Sequence, residues 1–334
     1  MNEDIGIDLG TATVIIYVKG KGIVLREPSM IAVDKNTKEV LAVGKEAKKM
    51  LGRVPDNIEI ISPLKDGVIS NFTLTEKMLK FYIKKVCKNR FVNRRIMICV
   101  PSQITEVEKR AVIDVTMESG AKKVYLIEEP VAAAVGAGLD IEKPCGNLVV
   151  DIGGGTTDIA VISIKNSVVS SSIKTAGNKF DKTIIKVMKR HFNIIIGEKT
   201  AIEIKERIGC VFPRVENISM SVRGRNAETG LPLEIEVTSQ DIIQPLYNEA
   251  MKIVTEIKDI LEKTPPELIE DISQRGIYLT GGGSLLYGMD KLIQKYTGIK
   301  VMIAEDAVSC VALGTGKALN NLDLIDLKNR KKGI

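Results

Sequence analysis

Two glycine turns of one design, Ile5-Gly-Ile-Asp-Leu-Gly-Thr11 and Val149-Val-Asp-Ile-Gly-Gly-Gly-Thr156, constrain the possible folds of this chain more than any other feature. Each begins as an apolar strand, reaches one acid, and turns through glycine. It then resumes as a second apolar stretch, Thr11-Ala-Thr-Val-Ile-Ile-Tyr17 or Thr157-Asp-Ile-Ala-Val-Ile162. The pattern predicts a β-hairpin whose tip offers backbone N–H groups with no Cβ to hold a phosphate away. Either copy alone is also compatible with an ordinary tight turn. Two copies in Val/Ile frames predict a duplicated fold that closes around a nucleotide. Asp8 and Asp151 then lie on facing turns, flank a triphosphate, and hold a hydrated Mg²⁺ between them. The pattern is neither a dinucleotide-binding Gly-x-Gly-x-x-Gly nor a Walker A loop, and neither motif occurs.

A third glycine turn follows the apolar run Gly276-Ile-Tyr-Leu-Thr-Gly-Gly-Gly-Ser284 and precedes the amphipathic Met289-Asp-Lys-Leu-Ile-Gln-Lys295. Strand, turn and helix in that order would set a helix N-terminus and flat backbone against a base or α-phosphate. The plain alternative is a strand-to-helix connection.

At 334 residues the chain exceeds what one core comfortably serves, so two domains are expected. With 4% aromatic residues and no Trp, Ile, Val and Leu must fill the cores. Five scattered cysteines (Cys87, Cys99, Cys145, Cys210 and Cys310) argue against a metal cluster and a full disulfide framework. Neither a signal segment nor an 18-residue apolar run is present, which predicts a cytosolic protein with at most peripheral membrane contact.

Thr105-Glu-Val-Glu108 is a capping box, and Val107, Ala111 and Val115 then predict the inward stripe of a helix ending near Gly120. Helices are expected at 46–51, 75–88, 181–190, 200–208 and 242–261, an edge strand at 233–237, and a surface break at Pro265-Pro266. Glu128-Glu129-Pro130 ends an apolar strand and opens a close-packed helix with Pro130 in its first turn. A carboxylate there can accept a hydrogen bond from a water in line with a γ-phosphate, which makes Glu129 the first catalytic candidate and Glu128 the second. Both acids could equally serve only to stabilise the helix N-terminus.

These residues resemble the actin, Hsp70 and sugar-kinase ATPase superfamily, and within it the bacterial actin-like cell-shape proteins of the MreB family, including its Mbl-type paralogues. The likeness runs over nearly the whole chain, through Asp8-Leu-Gly-Thr-Ala12, Glu27-Pro-Ser29, Val43-Gly-Lys-Glu-Ala-Lys-Lys-Met50, Leu126-Ile-Glu-Glu-Pro-Val-Ala-Ala-Ala134, Asp151-Ile-Gly-Gly-Gly-Thr-Thr157, Glu262-Lys-Thr-Pro-Pro-Glu-Leu268 and Leu279-Thr-Gly-Gly-Gly-Ser-Leu-Leu286. The resemblance implies an α/β, actin-like duplicated ribonuclease-H-like fold with two domains in four subdomains around a nucleotide cleft. The expected bounds are residues 1–143, with an insertion at about 34–62, and residues 144–334, with an insertion at about 182–240. It implies ATP and Mg²⁺ as cofactors, slow hydrolysis, self-association into double protofilaments under the cytoplasmic membrane, and work with the cell-wall elongation machinery.

By motif match, Gly10, Thr11, Ala12 and Thr13 form the first phosphate loop. Gly153, Gly154, Gly155 and Thr156 form the second, with Asp151 and Thr156 close to the chemistry. Asp8 and Asp151 would reach Mg²⁺ through water. Gly177, Lys205 and Glu206, with Gly281, Gly282 and Gly283 opposite, would hold the rest of the nucleotide. Two positions depart from the usual pattern: Thr13 stands where the family commonly has Asn, and Asp158 where it usually has Glu. Phosphate binding by backbone should survive the first, and an altered rate is expected from the second.

The segment 84–95 carries six basic residues and no acid around Phe91-Val92, which suits insertion at an anionic bilayer, each charge contributing about 1 kcal/mol. The family resemblance implies a two-residue hydrophobic loop at this place. A solvated helix end and a nucleic-acid site are the alternatives; an isolated Phe disfavours the latter, and no nucleic-acid partner is expected. His191 reads as a helix-end packing or surface residue. The expected function is thus an ATP-driven cytoskeletal filament protein, with a small-metabolite kinase of the same superfamily as the alternative. A peptide-binding domain of the Hsp70 kind is not expected, because the sequence given stops at Ile334.

Overall fold

A computed structural model describes residues 2–87 and 93–322. The first half opens with an antiparallel meander of β1 (Asn2–Leu9), β2 (Thr13–Val18) and β3 (Gly22–Pro28). A small insertion follows, with β4 (Ile31–Asp34), β5 (Val40–Val43), the helix α1 (Lys45–Met50) and β6 (Ile58–Ile61) forming a three-stranded sheet with a covering helix. The hairpin β7 (Leu64–Lys65) and β8 (Val68–Ile69) leads into α2 (Phe72–Val86), β9 (Asn93–Val100), α3 (Glu106–Glu118), β10 (Lys123–Glu128) and α4 (Glu129–Gly136). β9 and β10 join β1 in parallel, giving the sheet order β10-β9-β1-β2-β3.

The second half repeats this plan. Its meander is β11 (Asn147–Ile152), β12 (Thr157–Ser163) and β13 (Asn166–Ile173), followed by α5 (Gly177–His191), β14 (Ile194–Ile195), α6 (Glu198–Ile208), β15 (Ser219–Asn226) and β16 (Pro232–Thr238). After α7 (Ser239–Lys263) and α8 (Pro266–Arg275), strand β17 (Ile277–Thr280), helix α9 (Met289–Thr297) and β18 (Val301–Ile303) bring two parallel strands to β11. The order β13-β12-β11-β17-β18 matches the first sheet strand for strand, so the duplication seen in two short motifs extends to the topology. Every residue of β11 and β12 is buried, as expected of strands covered on both faces.

Two helices tie the halves together. α4 leaves the first sheet and packs on β11 and β12, while α10 (Cys310–Ala318) returns from the second half onto β1 and β2. They cross at glycine: a Cβ on Gly136 would sit 1.8 Å from the Cys310 carbonyl oxygen, and one on Gly314 would sit 1.7 Å from that of Ala132. No side chain fits at this crossing. Beside it, the Arg26 guanidinium on β3 donates to Ser309 Oγ and lies 3.6 Å from Asp306, a direct link between the halves.

Several local expectations change in the structure. α3 keeps its capping box, but Val107 is 81% exposed, and Val112, Val115 and Thr116 form the buried face. Spacing by four drifts about 40° per step around a helix, so Val107, in the first turn, lies about 80° from Val115 and off the buried face. The expected surface break at Pro265-Pro266 separates α7 from α8, and Pro266 also opens α8, where the first position needs no amide partner. The strand at 233–237 is an edge, and its partner β15 alternates through only two apolar residues, Met220 and Val222, among Ser and Arg, too short a series to have revealed it. α7 carries Pro245 in its second turn and continues to Lys263, held by the buried stripe Ile242, Leu246, Ala250, Ile253, Val254, Ile257 and Ile260. All five cysteines are free and buried. Among the described residues, no helix is long and apolar enough to cross a membrane.

Candidate functional site

The glycine turns meet at a cleft of about 320 Å³ between the two halves, in the size range of small-molecule sites. Both hairpin tips close in the same way: Gly10 N donates to Thr13 O at 3.1 Å and Gly153 N to Thr156 O at 2.9 Å. They also interlock. A Cβ on Gly154 would lie 2.5 Å from Ala12 Cβ, and one on Gly155 would lie 2.5 Å from Thr11 Oγ1. The missing side chains of the second turn therefore make room for those of the first.

The first turn is braced from behind by Glu27-Pro-Ser29. Ser29 donates from Oγ to Gly10 O at 2.5 Å and from N to Ala12 O at 3.0 Å, while Tyr82 donates to Pro28 O. Glu27 accepts from Lys45 N and from Lys85 Nζ, which fixes the start of α1 against β3, and these contacts hold its carboxyl below the usual range despite the upward push of burial. The second turn is tied to α5: Gly177 N donates to Gly153 O and Asn178 N to Gly154 O.

Four acids gather around these turns. Asp8 is pushed up to about 8 by burial and by the neighbouring Asp151 charge. Asp151 rises to about 7, chiefly by burial, with Thr280 Oγ1 donating to it at 2.6 Å and pulling the other way. Glu129, at the first turn of α4, is raised well above the ordinary carboxylate value by burial and then by Asp158, Asp151 and Asp8. Asp158 is raised by burial and accepts a hydrogen bond from Ser102 N at 3.1 Å. Such a set of acids calls for a cation. Among the described residues no cluster of three or more His, Cys, Asp or Glu side chains could coordinate a metal directly. The donor set fits Mg²⁺, which takes one or two carboxylates and fills its sphere with phosphate oxygens and water.

Asp8, Gly10, Thr11, Ala12, Thr13, Glu129, Asp151, Gly153, Gly154, Gly155, Thr156, Gly177, Lys205, Glu206, Gly281, Gly282 and Gly283 all line this one cleft. Glu128 does not: its carboxylate accepts a hydrogen bond from Ser167 at 2.7 Å on the far side of the strand end. Glu128 is the last residue of β10 and Glu129 the first of α4, and the two carboxylates part at this junction. Phe91 and Val92 lie outside the described residues. Of the basic residues flanking them, Lys85 pairs with Glu27, Arg95 with Asp4 through two 2.7 Å hydrogen bonds, and Arg94 lies 3.8 Å from Glu3, so this part of the charge is already engaged inside the fold.

The third turn differs from the expected strand-turn-helix. Gly281 (φ 78°) and Gly283 pack on the end of β11, where a Cβ on either would strike Ile152 within 2.4 Å. The chain then makes a 3₁₀ turn over Gly282–Leu285, and α9 begins only at Met289, outside the cleft. Flat backbone, with Gly282 open to the cleft, is what this element offers a ligand. Lys205 on α6 donates to Gly177 O at 3.3 Å and pairs with Asp181 at 2.8 Å. Sequence reasoning missed Asp181, Asn178, Pro28, Lys48 and Gly67, which also line the cleft. For Lys48 and Gly67 the signal was absent, since tertiary packing of the insertion and of the β7–β8 hairpin brings them there.

The sequence profile of the family described as MreB/Mbl protein matches residues 2–327. Cell shape-determining protein Mbl of Bacillus cereus is 54% identical over 322 residues, covering 96% of this chain and 97% of that one. Cell shape-determining protein MreB of Escherichia coli K12 is 48% identical over 329 residues, covering 97% and 95%. Among solved structures, the crystal structure of MreB 5 of Spiroplasma citri bound to AMPPNP superposes with a TM-score of 0.94 at 39% identity, covering 100% of this chain and 99% of that one.

Proposed function

The chain belongs to the MreB/Mbl family, and from that premise we propose that it is an actin-like filament protein that binds ATP in the cleft, hydrolyses it slowly as a timer of assembly, and determines cell shape. The observation that carries the reading is the interlocked pair of glycine turns, each with a buried acid, at the seam of two topologically identical halves. A ligand held by both turns bridges the halves, so the state of its phosphates acts on their relative placement.

The backbone amides of the two turns cradle the phosphates, and Gly282 and α6 bound the opposite end of the cleft. Mg²⁺, held through water by Asp8 and Asp151, would supply the positive charge that a triphosphate beside two acids requires. Glu129 is the group placed to orient and deprotonate the attacking water. Burial first, and then the Asp158, Asp151 and Asp8 charges, raise its carboxyl well above the ordinary value. A cation beside Asp8 and Asp151 would offset two of those three charges and so favour the ionised, basic form of Glu129.

For the finer reading we propose double protofilaments that lie on the inner face of the cell membrane, peripheral to it, and organise the cell-wall elongation machinery. The support is the family likeness and the basic segment around Phe91 and Val92, although Lys85, Arg94 and Arg95 are internally paired. A loop repeated along a filament would gain affinity for anionic lipid by multivalency.

The test is electron microscopy of the protein with Mg²⁺-ATP on an anionic lipid monolayer, beside Glu129→Gln. Wild type should form paired filaments with ATP. The variant should still bind nucleotide and assemble, while phosphate release falls on the order of 10²-fold or more. Protein that binds ATP yet stays dispersed under all conditions would sink the filament reading.

A further inference from the structure

The cleft is short of positive charge. Asp8, Glu129, Asp151, Asp181 and Glu206 line it, against only Lys48 and Lys205. Lys205 is committed to Asp181 at 2.8 Å and to the Gly177 carbonyl. Lys48 is different. Of the three lysines on α1, Lys45 sits beside Glu27, Lys49 pairs with Glu46 at 2.7 Å, and Lys48 has no carboxylate partner among the described residues. It is nonetheless the residue of α1 that lines the cleft.

A continuous set of hydrogen bonds places it. Ala12 O accepts from Ser29 N, Met30 O accepts from Gly44 N, and Gly44 O accepts from Lys48 N, so α1 is coupled to the tip of the first turn through Ser29 and Met30, which join β3 to β4. Ala47, fully buried, anchors the opposite face of the helix on the insertion sheet. Lys48 therefore stands on the flank of the first phosphate turn, while Lys205, Glu206 and Gly281–Gly283 bound the other end from the second half.

We propose that Lys48 is a phosphate-binding residue, reaching from the inserted subdomain to the terminal phosphate of a bound nucleoside triphosphate. This rests on the nucleotide-binding reading above. An ammonium on a flexible four-carbon stem, with three donors and no competing acid, suits a dianionic phosphoryl group. The contact ties the insertion to the triphosphate state, and loss of the terminal phosphate releases it.

The experiment is titration of the full-length protein with a fluorescent non-hydrolysable ATP analogue and with fluorescent ADP, both with Mg²⁺. Lys48→Ala should weaken the triphosphate analogue about tenfold and ADP by less than about twofold, with Lys48→Arg restoring most of the difference. Lys49→Ala, which removes a neighbouring charge outside the cleft, should change neither. Lys48 is exposed, so unfolding should not intervene, and equal thermal midpoints for wild type and variants check this. An unchanged analogue affinity in Lys48→Ala, or an equal loss for both nucleotides, overturns the proposal. Wild-type protein that binds neither nucleotide would instead overturn the nucleotide-binding reading, and this proposal with it.

Discussion

The first and second glycine turns share a hairpin, a closing hydrogen bond and an aspartate, yet their acids stand in different company. Asp151 has a dedicated donor in Thr280, on the parallel strand β17. For Asp8 no hydrogen-bond donor is present among the described residues, and it rises further, to about 8 against about 7. Glycine content differs in the complementary sense, with Gly154 and Gly155, the last two of three glycines in a row, facing the Ala12 and Thr11 side chains. The duplicated motif is thus asymmetric in use: one turn fills space and leaves its acid unsupported, while the other yields space and has its acid held in place.

The largest effects should come from removing the acids one at a time. Asp8→Asn and Asp151→Asn should each reduce Mg²⁺-dependent phosphate release on the order of 100-fold or more, since either leaves one carboxylate to hold the metal shell. Their stabilities should move the other way in metal-free protein. Each acid has a folded-state value above the ordinary aspartate value of 3.8, so the folded protein retains protons that the unfolded chain has lost. The stability this contributes is full below about pH 4 and is lost as pH rises through about 7 for Asp151 and about 8 for Asp8. Thermal midpoints without nucleotide or metal should therefore fall between pH 6 and 9. Asp8→Asn should flatten the upper part of that slope, and Asp151→Asn should flatten the lower part while also easing Asp8 downward by removing its neighbour's charge. A slope that neither variant alters would break the comparison.

The packing asymmetry predicts a smaller loss with a partial cure. Gly154→Ala puts a methyl 2.5 Å from Ala12 Cβ and should weaken nucleotide binding about tenfold by forcing the turns apart, at the 1–3 kcal/mol typical of overpacking. Ala12→Gly alone should be mild. Combined, the two should recover part of the binding, because the second glycine clears the methyl that blocks the first substitution. Isothermal titration of all four proteins gives the coupling directly. Additive losses would mean that the glycines serve only the phosphate and not each other.

The same asymmetry explains how much the sequence disclosed. Asp8, Asp151 and the glycines announced themselves because backbone geometry at a tight turn restricts residue choice locally, and Glu129 because a strand end, an acid and a proline sit together. The two-sheet topology followed from the repeat. Lys48, Asp181 and the bracing by Ser29 were hidden, since each reaches the cleft through tertiary packing and is an ordinary residue in its own segment. Glu128 and Glu129 could not be separated without knowing which side of the β10–α4 junction faces the cleft. Val107 misled for a related reason: a spacing of four drifts around the helix, so the apolar series did not fix which face is buried.

The subtlest way to sharpen the comparison is Thr280→Val, which keeps shape and deletes the donor that distinguishes Asp151 from Asp8. Thr280 is fully buried, so the methyl replaces the hydroxyl without exposing a cavity. Asp151 then loses the one interaction that lowers it, and its proton should be held to a higher pH, bringing it closer to Asp8. At pH 6, where Asp151 is already largely protonated, the cost should be small. At pH 8 a charged, undonated carboxylate would be left buried, and stability should drop by about 1–3 kcal/mol relative to wild type. Urea unfolding at the two pH values measures the difference. An equal loss at both would mean that Thr280 matters as packing, and the distinction between the two acids would then rest on burial alone.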